Sequence, residues 1–109
     1  MRVNTSFRPL SRPAVLLAAL LCTLGGAALA QSPEHVRSWA AACAACHGTN
    51  GRAEAGNESL AGVRQQDLVK KMLDFKNGRK PATLMHQIAK GYSDEQINAI
   101  AAYFAEQKK

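Results

Sequence analysis

The chain has 109 residues, 14 Lys+Arg against 8 Asp+Glu, and three cysteines, which leaves room for one domain and no more. Arg2, Arg8 and Arg12 supply half of the formal +6, so the rest of the chain carries only +3. That balance is too mild for a nucleic-acid protein, which shows a strong basic patch or stripe.

Residues 1–30 read as a secretory signal peptide. A basic opening is followed by Ala14-Val15-Leu16-Leu17-Ala18-Ala19-Leu20-Leu21, no charge appears from Pro13 to Pro33, and Ala28-Leu29-Ala30 has the A-x-A form of a cleavage site. The alternative is an uncleaved anchor, for which ~20 mostly apolar residues are needed; Gly25 and Gly26 make the segment marginal. Membrane contact is expected only in that case. Leu21 before Cys22 is too bulky for a lipoprotein site, and there is no twin-arginine pair. The expected product is a periplasmic domain over residues 31–109, exported by the general route, that keeps Cys43 and Cys46 alone. So short a chain has trouble burying enough apolar surface and commonly recruits a staple or cofactor.

Ser32-Pro33-Glu34 predicts a helix start, with a hydroxyl N-cap, proline in the first turn and an acid at the positive end of the dipole. Val36, Trp39, Ala40 and Cys43 follow at helical spacing, and Trp39 reads as core. The stripe runs into Cys43-Ala44-Ala45-Cys46-His47. A Cys-x-x-Cys-His run is a site for covalent attachment of c-type haem. Two thiols three positions apart on a helical turn can each add to one vinyl group, and the next residue then offers its imidazole to the iron. The competing readings of the motif are a redox dithiol and half of a zinc site.

Gly48, Gly51, Gly56 and Gly62, with Thr49, Asn50, Asn57 and Ser59 among them, predict an irregular loop placed to wrap a cofactor edge, with Leu60 as its apolar anchor. A second helix is expected from Gln65 to Lys76, striped by Leu68, Met72 and Phe75 and stopped by Asn77-Gly78. From Arg64 to Lys80, six basic residues face Asp67 and Asp74, a local +4 that suits either a solvated face or an acidic docking partner. A short helix is expected over Thr83–Lys90, closed by Gly91. A last one opens at Ser93-Asp94-Glu95-Gln96, a capping box in form, and carries Ile97, Ile100, Ala101 and Phe104 on one face. No stretch alternates with period two, so the domain is expected to be all-α.

A zinc site needs four N or S ligands, and no second Cys/His pair exists. A thioredoxin-like dithiol would sit in a β-α pattern, which is missing. Haem is therefore the best reading, with His47 on the iron. For the other axial position the candidates are Met85, His86, Met72 and His35. Met85 and His86 are adjacent and about 100° apart on a helix, so only one can face the iron. Thioether ligation would raise the potential, as suits an electron carrier; an open position would suit a peroxidase or gas binder.

Taken together, Cys43-Ala-Ala-Cys-His-Gly, Leu60-Ala-Gly, Met85, Ser93-Asp-Glu-Gln-Ile and Ala101-Ala-Tyr-Phe resemble the small class I cytochromes c. The resemblance implies a fold whose first and last helices cross around one haem. It also implies thioethers at Cys43 and Cys46, and axial His47 and Met85. Within that class, Lys80-Pro-Ala-Thr-Leu-Met-His-Gln-Ile-Ala-Lys-Gly-Tyr-Ser is most similar to the cytochrome subunit of flavocytochrome c sulfide dehydrogenase, which implies a flavoprotein electron donor. The chain would then have no bond-making chemistry of its own. Many relatives carry a proline whose carbonyl orients the proximal histidine; here Glu58 stands at that place.

Overall fold

The computed structural model describes residues 31–109; the expected leader, with Cys22, lies outside the described residues. Every regular element among the described residues is helical. Helix α1 spans Pro33–Ala41 and starts as its sequence predicts, with the Ser32 hydroxyl accepting from the His35 amide at 3.4 Å. It does not run on through the motif. The chain turns at Ala42 and Cys43 and resumes as a single helical turn, α2, over Ala44–His47.

The glycine-rich stretch that follows is irregular but tied down. A 3-10 turn covers Thr49–Gly51, with Asn50 in the left-handed region at φ 55° and its side chain accepting from the Tyr103 hydroxyl at 2.9 Å. The Gly51 carbonyl accepts from the amides of Leu60 and Ala61 at 2.8 and 3.1 Å, and the Gly62 amide donates to the Phe104 carbonyl at 2.9 Å. These bonds fasten the loop to the last helix.

Helix α3 spans Gln65–Lys76, α4 spans Met85–Lys90, and α5 spans Asp94–Ala105. Helix α4 begins two residues later than the sequence predicts, because Leu84, at φ −132° and ψ −36°, is its non-helical cap. Helix α5 opens with the expected capping box: the Gln96 amide donates to the Ser93 hydroxyl at 3.1 Å, and the Ser93 amide to the Gln96 side chain at 2.9 Å. The first and last helices pack on each other, and α3 packs on both α4 and α5.

Ile97, Ile100, Ala101 and Phe104 on α5 are all buried, joined by Ala40 from α1 and Leu68 from α3. The small Ala40 and Ala101 belong to the same cluster, with Cys43, Leu60 and Tyr92 packed against it. Trp39, expected inside, is only half-buried; it stacks on His35 and borders the core rather than filling it. The α3 stripe is also only partly closed. Leu68 is buried, whereas Met72 and Phe75 are half-buried, because what they face is a cavity.

Candidate cofactor site

That cavity has a volume of about 870 Å³ and occupies the space between α2, α3, α4 and α5. It lies toward the upper end of the ~300–1,000 Å³ usual for sites that enclose a small molecule. Leu60, Leu68, Phe75, Ile97, Ile100 and Phe104 make its walls apolar, while Asn57, Glu58, Lys71 and Gln87 bring polar groups to its lining. Its size and its mostly apolar walls suit a bulky apolar group.

Cys43, Cys46 and His47 all line the cavity. Cys43 caps α2, Cys46 and His47 lie within it, and the His47 amide closes the turn on the Cys43 carbonyl at 2.9 Å. One helical turn therefore presents two thiols and an imidazole to the same space. His47 Nδ1 stands 2.6 Å from the Glu58 carbonyl oxygen. A carbonyl can only accept, so Nδ1 donates; in the neutral ring this bond selects the tautomer whose Nε2 carries the lone pair, the form a metal-binding histidine requires.

The four candidates for the second axial position separate. Met85, the first residue of α4, lines the cavity, and so does Met72 of α3. His86 does not; its Nδ1 is buried without a hydrogen-bond partner. His35 stacks on Trp39 with ring centroids 6.2 Å apart, away from the cavity lining.

The donor set suits haem better than either rival. Among the described residues, no three His, Cys, Asp or Glu side chains could hold a metal ion together, so a zinc site lacks its ligands. Burial pushes the Cys43 thiol up from its ordinary value. A dithiol enzyme depends on the opposite shift, toward thiolate. The same apolar surroundings push the Tyr92 phenol up, burial contributing most and Cys43 less. Tyr92 lines the cavity and was not read as a site residue, although it precedes the N-cap at the staple position that pairs with Ile97.

Electrostatics around the site differ from the local +4 read in the sequence. Arg64 pairs with Asp67, Lys70 and Arg79 both pair with Asp74, Lys71 pairs with Glu58, and Lys76 pairs with Asp94. Lys80 lies over the Phe75 ring, 5.8 Å from its centroid. Held between Lys70 and Arg79, the Asp74 carboxyl sits below its ordinary value. Two of the partners, Glu58 and Asp94, lie outside the basic span, so the field presented to an acidic partner is weaker than the linear count. No helix among the described residues is long and apolar enough to cross a membrane.

Residues 30–104 match the family described as cytochrome c oxidase, cbb3-type, subunit III. The chain is 40% identical to cytochrome c4 of Pseudomonas aeruginosa over 97 residues, covering 85% of this chain and 48% of that protein. It is 40% identical over 67 residues to the cytochrome subunit of sulfide dehydrogenase of Chlorobaculum tepidum, covering 62% of this chain and 61% of that one. Among solved structures, cytochrome c4 of Acidithiobacillus ferrooxidans superposes with a TM-score of 0.57 at 38% identity, over 59% of this chain and 37% of that chain. The chain thus spans about half the length of the cytochrome c4 relative and under two thirds of the sulfide dehydrogenase subunit.

Proposed function

Because the chain belongs to the class I c-type cytochromes, we propose that residues 31–109 hold one haem c and carry single electrons in the periplasm, delivered there by the signal peptide of residues 1–30. In this reading Cys43 and Cys46 form the two thioethers, and His47 Nε2 and Met85 take the two axial positions. The observation that carries it is the juxtaposition of His47, with its proton held on Nδ1 by Glu58, and Met85 on the lining of one apolar cavity. When bound, the haem supplies the one-electron iron couple.

The work of the chain's own residues is then to bind, orient and exclude. Leu60, Leu68, Phe75, Ile97, Ile100 and Phe104 keep water from the site, which favours the less charged, reduced metal. The Glu58 carbonyl fixes the His47 ring and raises its basicity, which acts the other way. A thioether in place of a second imidazole raises the potential. Reductive titration should give a single one-electron wave per chain. A two-electron wave, or thiol–disulfide chemistry in its place, would contradict the reading.

For the partner, the relatives' names support a redox protein, and the proposal here is a flavoprotein. A relative named as the cytochrome subunit of sulfide dehydrogenase is 40% identical, which supports an electron-accepting subunit of a sulfide-oxidising flavoprotein. Gel filtration of native extract separates this role from that of a free carrier to an oxidase or reductase. Co-elution with a flavoprotein is expected, and a small monomer is the contrary result.

A further inference from the structure

The carbonyl that accepts from His47 Nδ1 belongs to a loop without regular structure. Glu58 lies in no helix or strand, and the bonds that tie its loop down fall on either side of it: Asn57 amide to Glu54 carbonyl at 3.2 Å, Ala53 amide to Ser59 hydroxyl at 3.0 Å, and the Leu60 and Ala61 amides to the Gly51 carbonyl at 2.8 and 3.1 Å. None of these bonds is made by the Glu58 peptide itself, whose carbonyl is the one that orients the imidazole. The side chain of the same residue supplies the missing support. The Glu58 carboxylate pairs with Lys71 Nζ, and Lys71 lies on α3, the helix packed against both α4 and α5. Glu58 and Lys71 both line the cavity. One residue therefore holds His47 through its backbone and is itself held by a long helix through its carboxylate.

We propose that the Lys71–Glu58 ion pair is a positioning device for His47, anchoring to α3 the peptide whose carbonyl accepts from Nδ1, and so setting how strongly the imidazole donates to a bound metal. This rests on the assignment of His47 as an axial ligand. A well-placed acceptor at Nδ1–H makes the ring a better donor and favours the oxidised metal. Loosening the carbonyl therefore raises the potential, whichever partner is removed. Simple charge effects have a different signature: losing the Lys71 cation lowers the potential, and losing the Glu58 anion raises it. The sign observed for Lys71→Gln thus separates positioning from charge.

The test uses the full-length haem-loaded protein in four forms: wild type, Lys71→Gln, Glu58→Gln and Lys71→Arg. Potentials are measured by redox titration, and solvent exchange of the His47 ring proton by NMR in the reduced state. Both glutamine variants should show a raised potential. Their ring proton should exchange about two- to fivefold faster, the range that an exposed ion pair can contribute. Lys71→Arg should restore wild-type behaviour in both measurements. A lowered or unmoved potential in Lys71→Gln, or exchange equal to wild type, overturns the positioning role while leaving His47 ligation intact. Wild-type protein lacking haem, or lacking histidine ligation by its spectrum, overturns both this role and the assignment on which it rests.

Discussion

Replacing Met85 with alanine should remove the far-red sulfur–iron absorption of the oxidised protein and open one side of the site to added imidazole or cyanide. Pro81-Ala82-Thr83-Leu84 lines the cavity without helical structure, and α4 starts only at Met85. This puts Met85 on the cavity lining and turns its neighbour His86 off it, as their separation of about 100° around the helix requires. Axial ligand identity tunes haem potentials across roughly 0.8 V, so loss of the thioether should lower the potential by ~0.1 V or more. Met85 is half-buried, so the variant should still fold and keep its haem. An unchanged spectrum would move the role to Met72, which also lines the cavity, and Met72→Ala would then be the variant that opens the site.

Gly48→Ala should be the most damaging single-methyl change in the domain. Gly48 follows His47 directly and has φ 76° and ψ 164°, a region that is essentially glycine-only and costs a side chain ~1–3 kcal/mol. A Cβ there would lie 1.8 Å from the Arg52 carbonyl oxygen and 2.5 Å from its carbon. Both are backbone atoms, so the loop itself must move. Strain and overlap together should cost about 3 kcal/mol or more, a fall of ~10–20 °C in Tm for a domain this small. The displaced segment leads to Glu58, so the His47–Glu58 bond should weaken and haem incorporation should fall with it. Gly56→Ala is the matched control: φ is 98°, but nothing lies within 4 Å of its Cβ, so only the strain remains. Equal melting temperatures for the two variants would contradict the account.

These outcomes also mark what the chain discloses by itself. The α5 face and its capping box were legible because both are local patterns, a 3.6-residue period and a four-residue cap. The cysteine motif and the set of four axial candidates were legible because the chemistry constrains residue type, and the choice of Met85 among them came from the resemblance. Trp39 packs against the core as expected but stays half-buried, because size and hydropathy indicate a tendency to be covered, not how completely. Met72 and Phe75 lie on the expected stripe yet remain half-buried, because a stripe reads the same whether it faces side chains or a cofactor. The late start of α4 is a backbone choice at Leu84, invisible to periodicity. Lys71–Glu58 and Lys76–Asp94 join residues 13 and 18 positions apart, so the basic span seemed less compensated than it is.

The most direct test is the visible spectrum of the protein, made in a strain that matures c-type haem, then denatured and reduced in alkaline pyridine. Covalent attachment at Cys43 and Cys46 predicts a c-type haem spectrum that stays with the polypeptide through organic extraction, at one haem per chain. A colourless chain with two titratable thiols at those positions would contradict it.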